Sequence, residues 1–397
     1  MLFYDIIFVL LSILTMNKPK KTITQKLFRL MIIIIMFFVV LHIVFVVTGT
    51  TYIYKALIYN YVNIDDYKIF ENRIIAAKEP KPLPAQKNKT ISAELKKLHD
   101  SLKTVAFLVV KNDTIVYEQY QPPYNEHSYS NSFSMAKSVV NILIGIAYKE
   151  GLIKSLDTPV YEYLPEFKDG EKSKITIRHC LMMASGLNFQ EEYAGPFNHT
   201  TESYYGTDLR KLIRKLKVVT PPGKVHNYKG SDPLILSFIL NKVTKKTLSE
   251  YMSEKLWTPL NATDNALWSL DKKNGDEKSY CCLNSNARDF ARIGLLYLHK
   301  GNWKGKQIVD TNYVLQSIEP LNLPDEKGEK AEYYGYMWWL MNYKNEKVFY
   351  ARGILGQYII VVPSKNIVMV RLGENSGKKE GIHPVLVKKM IEESWSW

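Results

Sequence analysis

Residues 131–151 read "NSFSMAKSVVNILIGIAYKEG". Val139, Val140, Ile142, Leu143, Ile144, Ile146 and Ala147 make an almost wholly apolar helix, which predicts burial in a core. Its opening turn nevertheless carries Ser134 and, three residues on, Lys137. Residues three apart on a helix share a face, so the lysine nitrogen can reach the hydroxyl. At a helix N-terminus the hydroxyl also feels the positive end of the dipole, which favours a developing alkoxide. This is the arrangement of an activated nucleophile. The plainer alternative is an N-cap serine beside a snorkelling lysine. The same spacing recurs at Ser376 in "SGKK", inside a polar stretch with glycine.

With 397 residues, 46% hydrophobic and 23% charged, the chain can bury a sizeable core as one large domain or two smaller ones. A net charge of +14 invites nucleic acid as a partner. No compact arginine–aromatic cluster or binding motif accompanies it, so nucleic acid is not expected. Part of the excess lies instead at Lys18, Lys20, Lys21, Lys26 and Arg29, just ahead of an apolar run.

That run, Leu30 to Val47, has His42 as its sole polar member and is long enough to span a bilayer core. We read His42 as a tolerated neutral imidazole. Tyr52, Tyr54, Tyr59 and Tyr61 follow as interfacial aromatics. The first segment, residues 1–16, is apolar but short and broken by Asp5: a second span, an interfacial stretch, or sequence ahead of a start at Met16. In each case the basic piece stays cytoplasmic and everything after Thr48 faces the periplasm or exterior. The length of the run favours a retained anchor in the cell membrane over a cleaved signal peptide. The expected organisation is an anchor region over 1–61, a Pro/Lys-rich linker over 62–91 with Pro80, Pro82 and Pro84 at alternate positions, and a globular domain over 92–397.

Within that domain "TVAFLVV" and "DTIVYEQY" predict a β-hairpin. Helical periodicity follows at 176–184, 233–245, 248–258 and 287–299. Strands return in "KVFYARG", "QYIIVVP" and "NIVMVRLG", and "HPVLVKKMIEESW" predicts a terminal helix. Strands at both ends with helices between imply an α/β (α+β) fold: one sheet completed by distant segments, with a helical region beside it. Cys180, Cys281 and Cys282 lack zinc spacing and read as buried thiols, with oxidation of one pair in an exported domain as the alternative, and no HExxH or clustered ligand motif supports a metal. No cofactor is expected.

The blocks "SFSMAKSVVNILIGIAYKEGLIKSLDTPVYEYLPEF", "ITIRHCLMMASGLNF" and "PPGKVHNYKGSDPLILSFIL" occur in that order. Together they resemble the serine β-lactamase and penicillin-binding-protein superfamily, in its class C-like branch. "EKLWTPLNATDNALWSLD" and "NARDFARIGLLYLHKGNWKGKQIV" are most similar to the 6-aminohexanoate-dimer hydrolases of that branch. The resemblance covers about residues 65–395. It implies a β-lactamase-like fold, an antiparallel sheet flanked by terminal and internal helices, and a serine hydrolase working through an acyl-enzyme.

On this resemblance Ser134 attacks the carbonyl, Lys137 helps take its proton, and Tyr228 shuttles a proton to the leaving group. "ARG" at Ala351 to Gly353 stands where classical members have Lys-Thr-Gly. Gly353 lets the strand approach the substrate, and the backbone N–H groups of Ser134 and Ile354 form the oxyanion hole. Arg352 is a candidate for a substrate carboxylate and Tyr193 for lining the pocket. The chain departs from the pattern after Tyr228, where Lys229 and Gly230 replace the usual Tyr-x-Asn, and in lacking Lys-Thr-Gly, so β-lactam recognition is not implied. No G-x-S-x-G elbow supports an α/β-hydrolase, and His226 reads as structural. The expected partners are a small-molecule ester, amide or peptide and the bilayer. The alternative is a catalytically weak module that binds cell-wall peptides. Oligomeric state is not indicated.

Overall fold

The computed structural model describes residues 22–397. It divides into two compact units, one ending at Tyr52 and one spanning Ile53–Trp397. In the first, helix α1 (Ile23–Thr48) opens on a Thr22 side-chain cap, closes on Gly49 and has no buried residue. A helix apolar on every side and uncovered by protein is not a core helix. It is long and apolar enough to cross a membrane. Residues 1–16 and the basic Lys18, Lys20 and Lys21 lie outside the described residues.

The second unit contains helices α2 (Tyr52–Tyr59, from Ile53 onward), α3 (Ala93–Ser101), α4 (Met135–Lys149), α5 (Ser231–Thr244), α6 (Ala287–Leu298) and α7 (Val385–Ser394), with shorter helical turns between. Its main strands are β1 (Asn72–Ile75), β2 (Thr104–Lys111), β3 (Thr114–Tyr120), β4 (Ser130–Asn131), β5 (Ala266–Ser269), β6 (Leu283–Ser285), β7 (Trp339–Tyr343), β8 (Glu346–Gly353), β9 (Gln357–Val362) and β10 (Ile367–Gly373). The principal sheet is antiparallel in the order β3-β2-β10-β9-β8-β7. Distant segments thus complete one sheet, as the sequence implies.

Helices cover both faces of that sheet, which is why its strands read as unbroken apolar runs rather than alternating ones. On one face Leu95 of α3 and Leu386, Val387, Met390 and Ile391 of α7 pack on Phe107, Val109, Tyr358, Ile360 and Met369. On the other lies α6. A Cβ at Gly294 would sit 2.5 Å from Val368 and 2.9 Å from Ile359, so glycine there lets helix and sheet touch. Full burial of each such aliphatic side chain contributes about 1.5–3 kcal/mol.

A second sheet, ordered β1-β5-β6-β4, is formed by short strands from three well-separated stretches of the chain, near residues 72–75, 130–131 and 266–285. It delivers the chain to Ser134: Asn131 pairs with Asn284 in β6, and the Ser132 N–H donates to the Leu283 carbonyl at 2.8 Å.

Two expectations are corrected here. Residues 62–91 are not a free linker, and the second unit begins at Ile53 rather than near 92. Strand β1 pairs with β5 and buries Ile75, while Arg73 meets Glu277 at 2.6 Å. The alternating prolines hold the chain extended, and the groups they leave free bond to the domain. The Lys81 N–H donates to the Asn261 carbonyl at 3.2 Å, and Arg292 Nη2 donates to the Lys81 carbonyl at 2.6 Å. The Ile115 N–H donates to the Pro84 carbonyl at 2.8 Å. The cysteines are also not three thiols. Cys180 is a buried thiol, whereas the adjacent Cys281 and Cys282 are joined as a disulfide.

Candidate active site

Ser134 occupies the N-cap of α4, yet its side chain makes no capping bond. Thr176, Thr247 and Asn286, at the same position of other helices, each accept from a first-turn N–H. The Ser134 hydroxyl is instead held by Lys137, whose Nζ lies 2.8 Å from Oγ. Immediately before it Phe133 adopts a left-handed φ of 44°, fixed by a 2.9 Å bond from its N–H to Asn131 Oδ1. Non-glycine residues hold such a conformation only where the surroundings enforce it, commonly at functional sites.

Lys137 is fully buried. Besides Ser134 it donates to the Tyr280 carbonyl at 3.1 Å, and it lies 3.7 Å from Glu191 Oε1. Its nitrogen stands 4.7 Å from the centre of the Tyr228 ring, a cation–π distance. The Tyr228 ring is wedged between Tyr334 and Trp339, with centroids 5.8 and 5.4 Å away.

The loop that carries Tyr228 is fixed by its neighbours. The Asn227 N–H donates to the Met183 carbonyl, and His226 Nδ1 bonds the Met182 carbonyl, both near 2.9 Å. Burial pushes the His226 imidazole down despite that bond, so it is a neutral structural histidine. Ser185, in the same "MMASGL" block, donates to Asp232 Oδ1 at 2.6 Å and ties the block to the start of α5. Lys229 turns inward to the Leu187 carbonyl at 2.6 Å, and burial lowers its proton affinity. A Cβ at Gly230 would meet the Phe189 and Tyr280 rings at 3.2 Å. Aromatic rings, not an amide side chain, therefore line this edge of the site.

At the end of β8 a Cβ on Gly353 would lie 2.2 Å from the Ser132 carbonyl. Only glycine lets the strand abut the nucleophile turn so closely. The N–H groups of Ser134 and Ile354 make no hydrogen bond to any described residue. Arg352 is anchored by a 2.9 Å bond from Nη1 to the Ile382 carbonyl and lies 4.8 Å from the centre of the Trp339 ring.

One cavity brings together Ser134, Tyr193, Tyr228, Arg352, Gly353 and Ile354, with Lys137 behind Ser134. Ser376 is elsewhere in character: it sits in coil after β10, and Lys379 belongs to a separate two-residue strand. Glu191 is the residue that sequence reasoning missed. It lines the cavity, accepts from the Tyr193 hydroxyl at 2.9 Å, and its Oε2 is buried without a partner among the described residues. The acidic pair in "QEEY" beside Tyr193 was the available signal. No group of His, Cys, Asp and Glu among the described residues could hold a metal ion.

The chain has relatives among known proteins. The chain is 25% identical over 286 residues to the 6-aminohexanoate-dimer hydrolase of Paenarthrobacter ureafaciens, covering 68% of this chain and 72% of that one. A Bacillus anthracis structure named as a provisional 6-aminohexanoate-dimer hydrolase superposes with a TM-score of 0.75 at 24% identity, over 84% of this chain and 93% of that one. A family VIII carboxylesterase shares the fold at a TM-score of 0.60 and 16% identity, over 78% and 98% of the two chains. The Beta-lactamase family model matches residues 90–381, which include Ser134, Lys137, Tyr228 and Gly353, and the chain belongs to that family.

Proposed function

We propose that the protein is a membrane-anchored serine hydrolase that cleaves an ester or amide bond through an acyl-enzyme on Ser134. The observation that carries this reading is the 2.8 Å contact between Lys137 Nζ and a Ser134 hydroxyl free of capping duty. Ser134 Oγ attacks the carbonyl carbon while Lys137 and Tyr228 take up its proton. The negative charge on the carbonyl oxygen is held by the N–H groups of Ser134 and Ile354, worth several kcal/mol in such sites, roughly 3–4 by removal of one donor. Collapse breaks the bond to the leaving group, which receives a proton from Tyr228, and water then hydrolyses the ester on Ser134. Glu191 orients Tyr193 and faces Lys137. Helix α1 anchors the catalytic unit on the periplasmic or extracellular side.

The substrate follows from what lines the site. Gly230 offers no amide to an acylamino group, and Ala351 and Arg352 stand where the classical third motif has its lysine and threonine. Binding energy at such remote groups is what a good substrate converts into rate. Small activated carbonyls still meet the nucleophile. We expect kcat/KM for p-nitrophenyl acetate or butyrate to exceed that for a chromogenic cephalosporin by orders of magnitude. Efficient cephalosporin cleavage with negligible ester turnover would refute the reading.

A further inference from the structure

Two cavities adjoin at Ser134, Glu191, Tyr193 and Ile354. The first is the polar cavity described above, which holds Tyr228, Arg352 and Lys379. The second is the smaller, with a cavity volume of about 190 Å³, room for a slender chain rather than a bulky ligand. Its wall is mainly apolar and aromatic: Leu57, Val62, Phe133, Tyr204, Tyr280 and Ile354. Both lie in the Ile53–Trp397 unit.

We propose that the second cavity holds the acyl half of the substrate, so that the enzyme acts on esters or amides of a medium or long apolar acyl chain bearing a polar leaving group. This rests on the reading of Ser134 as the nucleophile. Orientation comes from the proton donor. Tyr228 lines the polar cavity and not the apolar one, whereas Ser134 and Ile354 line both. A scissile carbonyl seated between Ser134 and Ile354 therefore directs its leaving group toward Tyr228 and its acyl chain the other way.

The origin of the wall supports an apolar occupant. Ala56, Leu57, Asn60 and Val62 lie ahead of the residues that the family model matches, 90–381. They belong to the first segment after α1, and Ala56 follows Thr48 by only eight residues. The rim is apolar and open: Leu57 is 68% exposed and Tyr193 58%. An apolar rim around a catalytic mouth marks a surface that meets another apolar body.

The test uses the full chain in lipid nanodiscs, since detergent would compete for the cavity. kcat/KM is measured for p-nitrophenyl acetate, butyrate and octanoate from solution, and for p-nitrophenyl palmitate placed in the nanodisc lipid. We expect at least a tenfold rise from acetate to octanoate. Leu57→Arg, at an exposed position that folding does not depend on, and Ala56→Trp should each bring the octanoate-to-acetate ratio down toward one. Faster turnover of the lipid-borne palmitate than of octanoate assigns the bilayer as the source of the chain, and the reverse assigns a soluble ester; either supports the acyl site. A flat or falling profile in an enzyme whose Ser134 still reacts with a fluorophosphonate would overturn the inference alone, as would a ratio unmoved by both variants. Absence of all turnover together with an unreactive Ser134 would overturn the hydrolase reading and this one with it.

Discussion

Lys137 answers to Ser134, Tyr280, Glu191 and the face of Tyr228 at once, so the first turn of α4 is built around one nitrogen rather than around helix capping. The serine and lysine were legible because helix geometry makes a spacing of three meaningful. Tyr228, one of 27 tyrosines, was singled out by its flanking block and not by any property of its own. Glu191 escaped because a carboxylate in an irregular loop has no periodicity; its role emerges only when the loop folds back over Lys137. Gly353 is the residue whose smallness is most testable. An alanine methyl would collide with the Ser132 backbone at 2.2 Å, which cannot rotate aside. Overpacking of this kind costs about 1–3 kcal/mol, and here the displaced group is the nucleophile turn. Gly353→Ala should lower Tm by several degrees and kcat/KM for p-nitrophenyl butyrate by at least tenfold. Full activity in that variant would mean that β8 does not support the nucleophile as described.

At the scale of elements, long apolar runs were legible and short polar strands were not. Strands β2, β9 and β10 are buried along almost their whole length, and continuous apolar sequence announces that. The second sheet is made of strands of two to four residues whose partners lie up to about 200 positions away, and no local pattern encodes such pairing. The segment 62–91 misled for a related reason: proline spacing specifies extended backbone but not whether that backbone is solvated or bonded to a neighbour. Helix α1 carries the topological claim. With Lys26 and Arg29 at its N-terminal side, positive charge should hold that end in the cytoplasm. A Thr90→Cys variant should react with a membrane-impermeant maleimide in intact cells, or in spheroplasts where an outer membrane intervenes. Reaction only after the inner membrane is permeabilised would reverse the orientation.

For the whole molecule, stability and chemistry make separate demands that separate experiments can read. His99 is buried against Phe107 with Nδ1 at 2.9 Å from Thr104. Burial, reinforced by Arg371, pushes its imidazole down to about 3. In the unfolded chain the same group titrates near 6.5. Below that pH the unfolded state binds a proton that the folded state refuses. The contribution of His99 is therefore complete above about pH 6.5 and is lost as pH falls toward 3, by at most about 1.4 kcal/mol per unit. Tm should fall on acidification from pH 7 to 4.5, and His99→Gln should flatten that slope; an unchanged slope would remove His99 as a cause. The central claim, that this family member performs covalent catalysis at Ser134, is tested most directly by exposing the membrane-embedded full chain to a fluorophosphonate and locating the adduct by peptide mass. The account predicts one adduct, on Ser134, lost in Ser134→Ala without an appreciable change in Tm and retained in Ser376→Ala. An adduct on Ser376, or an unmodified protein, would contradict it.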